Sequence, residues 1–176
     1  PQTQCPNEIT DYKIFAPKTD DKIRVIVYVK ECISVEFLDI HTPTPGISLK
    51  LRNMTASFIY NEFTSNENRI PPKKRFENLY KTLDSIQKAS HNAAILGDIN
   101  IHIEDENDTA TKTFRDWCQE NNFRQIQQEN TRKDSTLHIV MIRGVTTSCQ
   151  FTTNEFKSDH SATVITIGKS LNSHKH

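Results

Sequence analysis

The hydrophobic period of this chain changes near Asn61, from two residues to three or four, and that change sets the class of fold it can adopt. Before it, Ile23 to Lys30 (IRVIVYVK) is dense in β-branched residues and predicts a strand. Ile33 to Ile40 alternates apolar with polar and predicts a second strand. Thr42 to Gly46 (TPTPG) predicts a turn, because its two prolines lack amide donors and its glycine frees φ. Ile47 to Leu51 and Met54 to Tyr60 predict two more strands, so the first third reads as a run of antiparallel strands. Beyond Asn61, Pro71-Pro72 suit the first turn of a helix. Phe76, Leu79, Leu83 and Ile86 then recur at helical spacing over 73–90. Ala93 to Leu96 (AAIL) follows as a short apolar run suited to a strand buried on both faces. A second helix is predicted over 110–121, with Phe114, Trp117 and Cys118 on one face. Strands are predicted at 123–126, 137–142, 145–151 and 162–167, with Arg143-Gly144 as a hairpin turn between two of them. Many strands with two intervening helices imply an α/β or α+β fold with two sheets and helices outside.

A length of 176 residues suffices for one domain with a real core; we expect a single domain over 1–176, with 169–176 as a frayed tail. Lys+Arg and Asp+Glu both number 22, so the formal net charge is zero. That excludes the bulk electrostatic footprint of an avid nucleic-acid binder. It leaves room for a local basic patch, for which Lys73-Lys74-Arg75, Arg115, Arg124, Arg132 and Lys133 are candidates. Cys5, Cys32, Cys118 and Cys149 are widely spaced and form no C-x-x-C pair. Cys118 and Cys149 fit as buried thiols in a reducing compartment rather than as disulfide staples. No apolar run approaches the length needed to span a bilayer, and Pro1 to Asp11 lacks the apolar core of a signal peptide.

Three short stretches carry chemistry. Gly97-Asp98-Ile99-Asn100 follows the AAIL run directly. In extended backbone Asp98 and Asn100 point to the same side, where a carboxylate beside a carboxamide can hold an attacking water and a phosphate oxygen. The glycine lets the backbone bend or approach a ligand. The same residues also make ordinary turn chemistry. Ser158-Asp159-His160 precedes the last predicted strand and offers a phosphate-binding imidazole and a metal-binding or orienting carboxylate; His160 also suits a hydrogen-bonded structural role. Tyr60 ends its strand, where a phenol can donate to a phosphate or simply sit as an amphipathic aromatic. There is no Gly-rich phosphate loop, no H-E-x-x-H and no G-x-S-x-G. Glu104 to Asp108 is acidic but lacks the ligand order of an EF-hand and reads as a solvated loop.

Taken in chain order, these motifs are more specific than any one alone. A strand ending in Tyr60, a helix, Gly97-Asp98-Ile99-Asn100, a helix, Thr131-Arg132 with Ser135-Thr136-Leu137 and Val140, then Ser158-Asp159-His160 resemble the endonuclease/exonuclease/phosphatase superfamily. Phe58 to Thr64, Ala94 to Asn100 and Thr131-Arg132 with Gln125 upstream look like its branch in non-LTR (LINE-like) retrotransposon polyproteins, over residues 11–168. The resemblance implies an α/β, DNase I-like two-sheet sandwich flanked by helices, with the site where strand ends of both sheets meet. It implies nicking of DNA with Mg²⁺, or alternatively Mn²⁺, leaving a 3′ hydroxyl that primes reverse transcription. It places Asp98 and Asn100 at the attacking water, His160 and Tyr60 on the phosphate, Asp159 and Asp98 at the metal, and Thr131 with Asn100 and Tyr60 along the substrate. It implies an intracellular protein, nuclear when its DNA is chromosomal, with no membrane partner.

Three departures from the family pattern qualify that expectation. A strand-end Asn and a metal-binding Glu belong upstream of the stretch matched by Tyr12 to Phe15; the sequence, opening at Pro1, starts too late to contain them, and Glu8 does not fit the strand-end context. We therefore expect the first strand–helix–strand to be missing, with self-association or a protein partner covering the exposed edge. His138 stands where the family has an Asp that orients the catalytic imidazole, and an imidazole cannot supply that negative charge. The combined expectation is a DNA endonuclease by descent, weak or inactive. The alternatives are a binding module of the same fold and a phosphatase or phosphodiesterase of the same superfamily.

Overall fold

The computed structural model describes residues 8–17, 23–62, 72–126, 129–132, 134–152 and 162–168. Asp159, His160 and the 169–176 tail lie outside them. In chain order the elements are β1 (Tyr12–Phe15), β2 (Val27–Lys30), β3 (Val35–Leu38), β4 (Gly46–Leu51), β5 (Met54–Tyr60), α1 (Pro72–Ala89), β6 (Ala93–Asp98), α2 (Thr109–Glu120), β7 (Arg124–Gln125), β8 (His138–Arg143), β9 (Thr146–Thr152) and β10 (Ala162–Gly168).

Six strands make the main sheet in the order β3-β4-β5-β6-β8-β7, while β1-β2 and β9-β10 are separate two-stranded sheets. Strand register sorts the side chains onto two faces. Ile59, Ile95, Ile139 and Met141 point to one face and bury with Leu79, Leu83 and Ile86 of α1 and Phe114, Trp117 and Cys118 of α2. Leu79, Leu83 and Ile86 are fully buried, each contributing roughly 1.5–3 kcal/mol of apolar burial. The opposite face is covered by the two small sheets. Ile47 and Leu49 pack against Val27 and Val29 of β2, and Ala94, Val140 and Ile142 against Ile165 and Ile167 of β10. The chain is therefore a sandwich of strand layers with both helices on one outer face, as the motif resemblance implies.

Helix α1 starts at Pro72, where a proline loses no helical hydrogen bond. Asp108 caps α2, its carboxylate accepting from the Thr111 amide at 3.2 Å. The first third pairs antiparallel as expected, but in two sheets, because the chain leaves the β1-β2 layer after Lys30 and enters the main sheet at β3. One expectation needs correction. Arg143-Gly144 is not a hairpin turn, because β8 pairs with β6 and β7 while β9 pairs with β10; the segment carries the chain from one layer to the other. Local turn chemistry reads the same in both cases, and layer choice is settled by packing.

Candidate active site

β5 and β6 run parallel and adjacent, joined through α1, so their carboxyl ends coincide. Tyr60 falls directly opposite Asp98, and β8, antiparallel to β6, begins with His138 opposite Asp98 from the other side. A phenol, a carboxylate and an imidazole thus form a row across three neighbouring strand ends, with backbone steps of about 5 Å. The row lies on the face away from the helices, toward the layer that holds β2. Ligands of α/β sheets commonly bind outside such carboxyl ends.

Past Asp98 the backbone turns. Asn100 has φ of 51°, and its amide donates to Asp98 Oδ1 at 2.9 Å. The extended arrangement expected for Asp98 and Asn100 is therefore replaced by an Asx turn, the left-handed conformation being one that asparagine tolerates. Gly97 bends the backbone, as one of its two expected roles requires: its φ is 146°. A Cβ there would collide with the Ile59 carbonyl, so strand β5 is a close neighbour that also requires glycine.

Asn61 completes the turn. It is 2% exposed, and its backbone amide donates to the Asp98 carbonyl at 2.8 Å. Its side-chain Nδ2 donates to the Ile99 carbonyl at 2.7 Å, and its own carbonyl accepts from Asn100 Nδ2 at 2.6 Å. These bonds clamp Asp98-Ile99-Asn100 onto the end of β5. Asn61 lies in the Phe58 to Thr64 stretch but has no assigned role there; its sequence signal as a clamp is position, an Asn directly after the last residue of a strand, where side-chain-to-backbone bonding is favoured.

Thr131 is fully buried. Its hydroxyl oxygen accepts from the amides of Leu137 at 3.0 Å and His138 at 3.1 Å. The structure makes it a buried anchor for the start of β8 rather than a side chain lining an open edge. Glu104, expected in a solvated loop, has both carboxylate oxygens engaged. One accepts from the Thr136 amide at 3.0 Å, and the other lies 2.9 Å from His102 Nδ1. Burial would raise its pKa, but the bonds from its own amide and that of Thr136, together with His102, outweigh burial and hold it below the usual range. Cys118 is buried and free, its thiol pushed up to about 12 by burial, and Cys32 is free and exposed.

Among the described residues no three His, Cys, Asp or Glu side chains cluster closely enough to hold a metal ion. Magnesium takes only one or two protein carboxylates, the rest of its shell coming from water and substrate phosphate. Asp98, with Oδ1 fixed by the Asn100 amide, suits one such position.

No family model and no curated protein sequence matches the chain. Among solved structures it is similar to the endonuclease domain of TRAS1, a telomere-specific non-LTR retrotransposon, with 11% identity and a TM-score of 0.67. The match covers 92% of this chain and 80% of that one. At this identity the likeness is one of fold, and it agrees with the motif order, which resembles the same branch. The chain has the fold of a non-LTR retrotransposon endonuclease domain.

Proposed function

We propose that this chain is a weakly active DNA endonuclease domain of retrotransposon type that hydrolyses a phosphodiester bond with a divalent cation. The observation that carries this reading is the row of Tyr60 and Asp98 at paired strand ends, with Asn100 locked beside them, in a fold shared with a retrotransposon endonuclease domain. Asp98 orients the attacking water and takes up its proton, and the Asn100 carboxamide steadies that water. Tyr60 donates to a phosphate oxygen, and His160 binds the scissile phosphate. Attack on phosphorus forms the new P–O bond and breaks P–O3′, and the departing 3′ oxygen takes a proton from solvent water to leave as a hydroxyl. Thr131 acts indirectly, by fixing the start of β8. Asp98 and Asp159 would hold Mg²⁺ or Mn²⁺, which when bound neutralises phosphate charge. Chromosomal DNA as substrate would make the protein nuclear.

Activity is weak because His138 stands where a carboxylate would orient the catalytic imidazole. Losing such a group lowers rates by as much as about 10⁴-fold in a comparable unit. The test is nicking of supercoiled plasmid with Mg²⁺ and with EDTA, beside an Asp98→Ala/His160→Ala double variant. Slow Mg²⁺-dependent nicking that the double variant loses is expected. Nicking equal in the two proteins would overturn the reading and leave a binding module of the same fold.

A further inference from the structure

Arg24 has no role in the scheme above, yet it reaches the site from the other layer of the sandwich. It precedes β2, and its guanidinium carbon lies 5.8 Å from the centre of the Tyr60 ring. Its Nη2 donates to Glu62 Oε1, two residues beyond Tyr60. The side chains of Arg24 and Glu62 are 30% and 35% exposed, so both can be reached by a ligand. A cation from one layer is thus held over the phenol that ends β5, one strand from Asp98.

We propose that Arg24 is a phosphate-binding residue of this site, gripping a backbone phosphate of bound nucleic acid after exchanging Glu62 for it. The proposal rests on the nuclease reading and extends it to substrate grip. A guanidinium presents paired donors that match two phosphate oxygens, and stacking over Tyr60 restricts it to the site in advance. The partner it must release is weakly held, because a partly exposed ion pair adds little to stability and is screened by salt. Glu62 is then a placeholder that competes with, and repels, the incoming phosphate. In a chain of zero net charge, one placed cation forms an appreciable part of the electrostatic attraction.

The test is binding of the full chain to a short fluorescent DNA duplex in EDTA, across a salt series, with thermal melting of each variant as a folding control. Arg24→Ala is expected to weaken binding about tenfold, the size of one charge-assisted hydrogen bond. It should also lower the slope of log affinity against log salt by about 0.9, one phosphate's worth. Arg24→Lys should keep the slope and lose part of the affinity. Glu62→Gln should tighten binding, a gain that a merely structural ion pair would not give. Wild-type affinity and slope in a folded Arg24→Ala, or weaker binding by Glu62→Gln, would overturn the proposal while leaving the nuclease reading intact. No salt-dependent DNA binding by the wild-type chain would overturn both.

Discussion

At the scale of single residues, the site is held by side chains that touch backbone. Asn61 Nδ2 satisfies the buried Ile99 carbonyl. Asn61→Ala strands that acceptor and should cost about 1–3 kcal/mol, read by urea denaturation. Glu104 gives a pH signature. Its folded pKa lies below the usual range, so its contribution is present above the unfolded value and is lost as pH falls through the folded one. Glu104→Gln should therefore destabilise the protein near neutral pH and flatten part of its acid unfolding limb; an unchanged limb in acid titration followed by circular dichroism would contradict this. The placement of Tyr60 and Asp98 at strand ends and of Asn100 in the turn beyond was legible in the sequence, because strand ends and turn residues advertise themselves locally. Asn61, Thr131 and Glu104 were not legible as clamps, because Asn61 bonds Asn100 across 39 residues, Glu104 bonds the Thr136 amide across 32, and Thr131 reaches past a turn to Leu137.

At the scale of elements, period and composition located nearly every helix and strand. Phe76, Leu79, Leu83 and Ile86 mark α1, and the AAIL run marks β6. What they could not mark is what ties elements together. Arg143 ends β8 and donates to the carbonyls of Gln87 and Ser90 at 2.6 Å, of His91 at 3.0 Å and of Asn121 at 3.2 Å. It thereby closes the carboxyl ends of both helices, with its guanidinium 4.6 Å from the Phe123 ring centre. Burial lowers its pKa, which these carbonyl contacts accompany. Arg143→Lys loses the fork that serves several acceptors at once, and should lower stability by about 2 kcal/mol in denaturant melts. A change near zero would show that the helix ends are satisfied without it. In the sequence this residue is only the Arg of an Arg-Gly pair, and its acceptors are backbone groups from 22 to 56 positions away.

At the scale of the whole molecule, two small sheets cover one face of the main sheet, and among the described residues each has only one hydrogen-bonded partner strand. Phe37, Ile26 and Val164 are 52%, 40% and 47% exposed. Open strand edges beside exposed apolar side chains favour association. Sedimentation should show mass rising with protein concentration, and a monodisperse monomer over the same range would contradict this. No described helix is long and apolar enough to cross a membrane. The sandwich was legible from alternating period and motif order. The division of its second layer was not, because strand pairing is non-local.

The proposed weakness of the site is most directly tested at position 138. His138 sits in register with Asp98, where β8 begins. The most direct measurement is the Mg²⁺-dependent nicking rate of the wild-type chain beside His138→Asp, with melting curves to show that both are folded. We expect slow nicking by the wild type and a gain of at least about tenfold with the carboxylate restored, a fraction of what such an orienting group contributes. Equal or slower nicking by a folded His138→Asp would contradict the view that this site is a nuclease weakened at position 138.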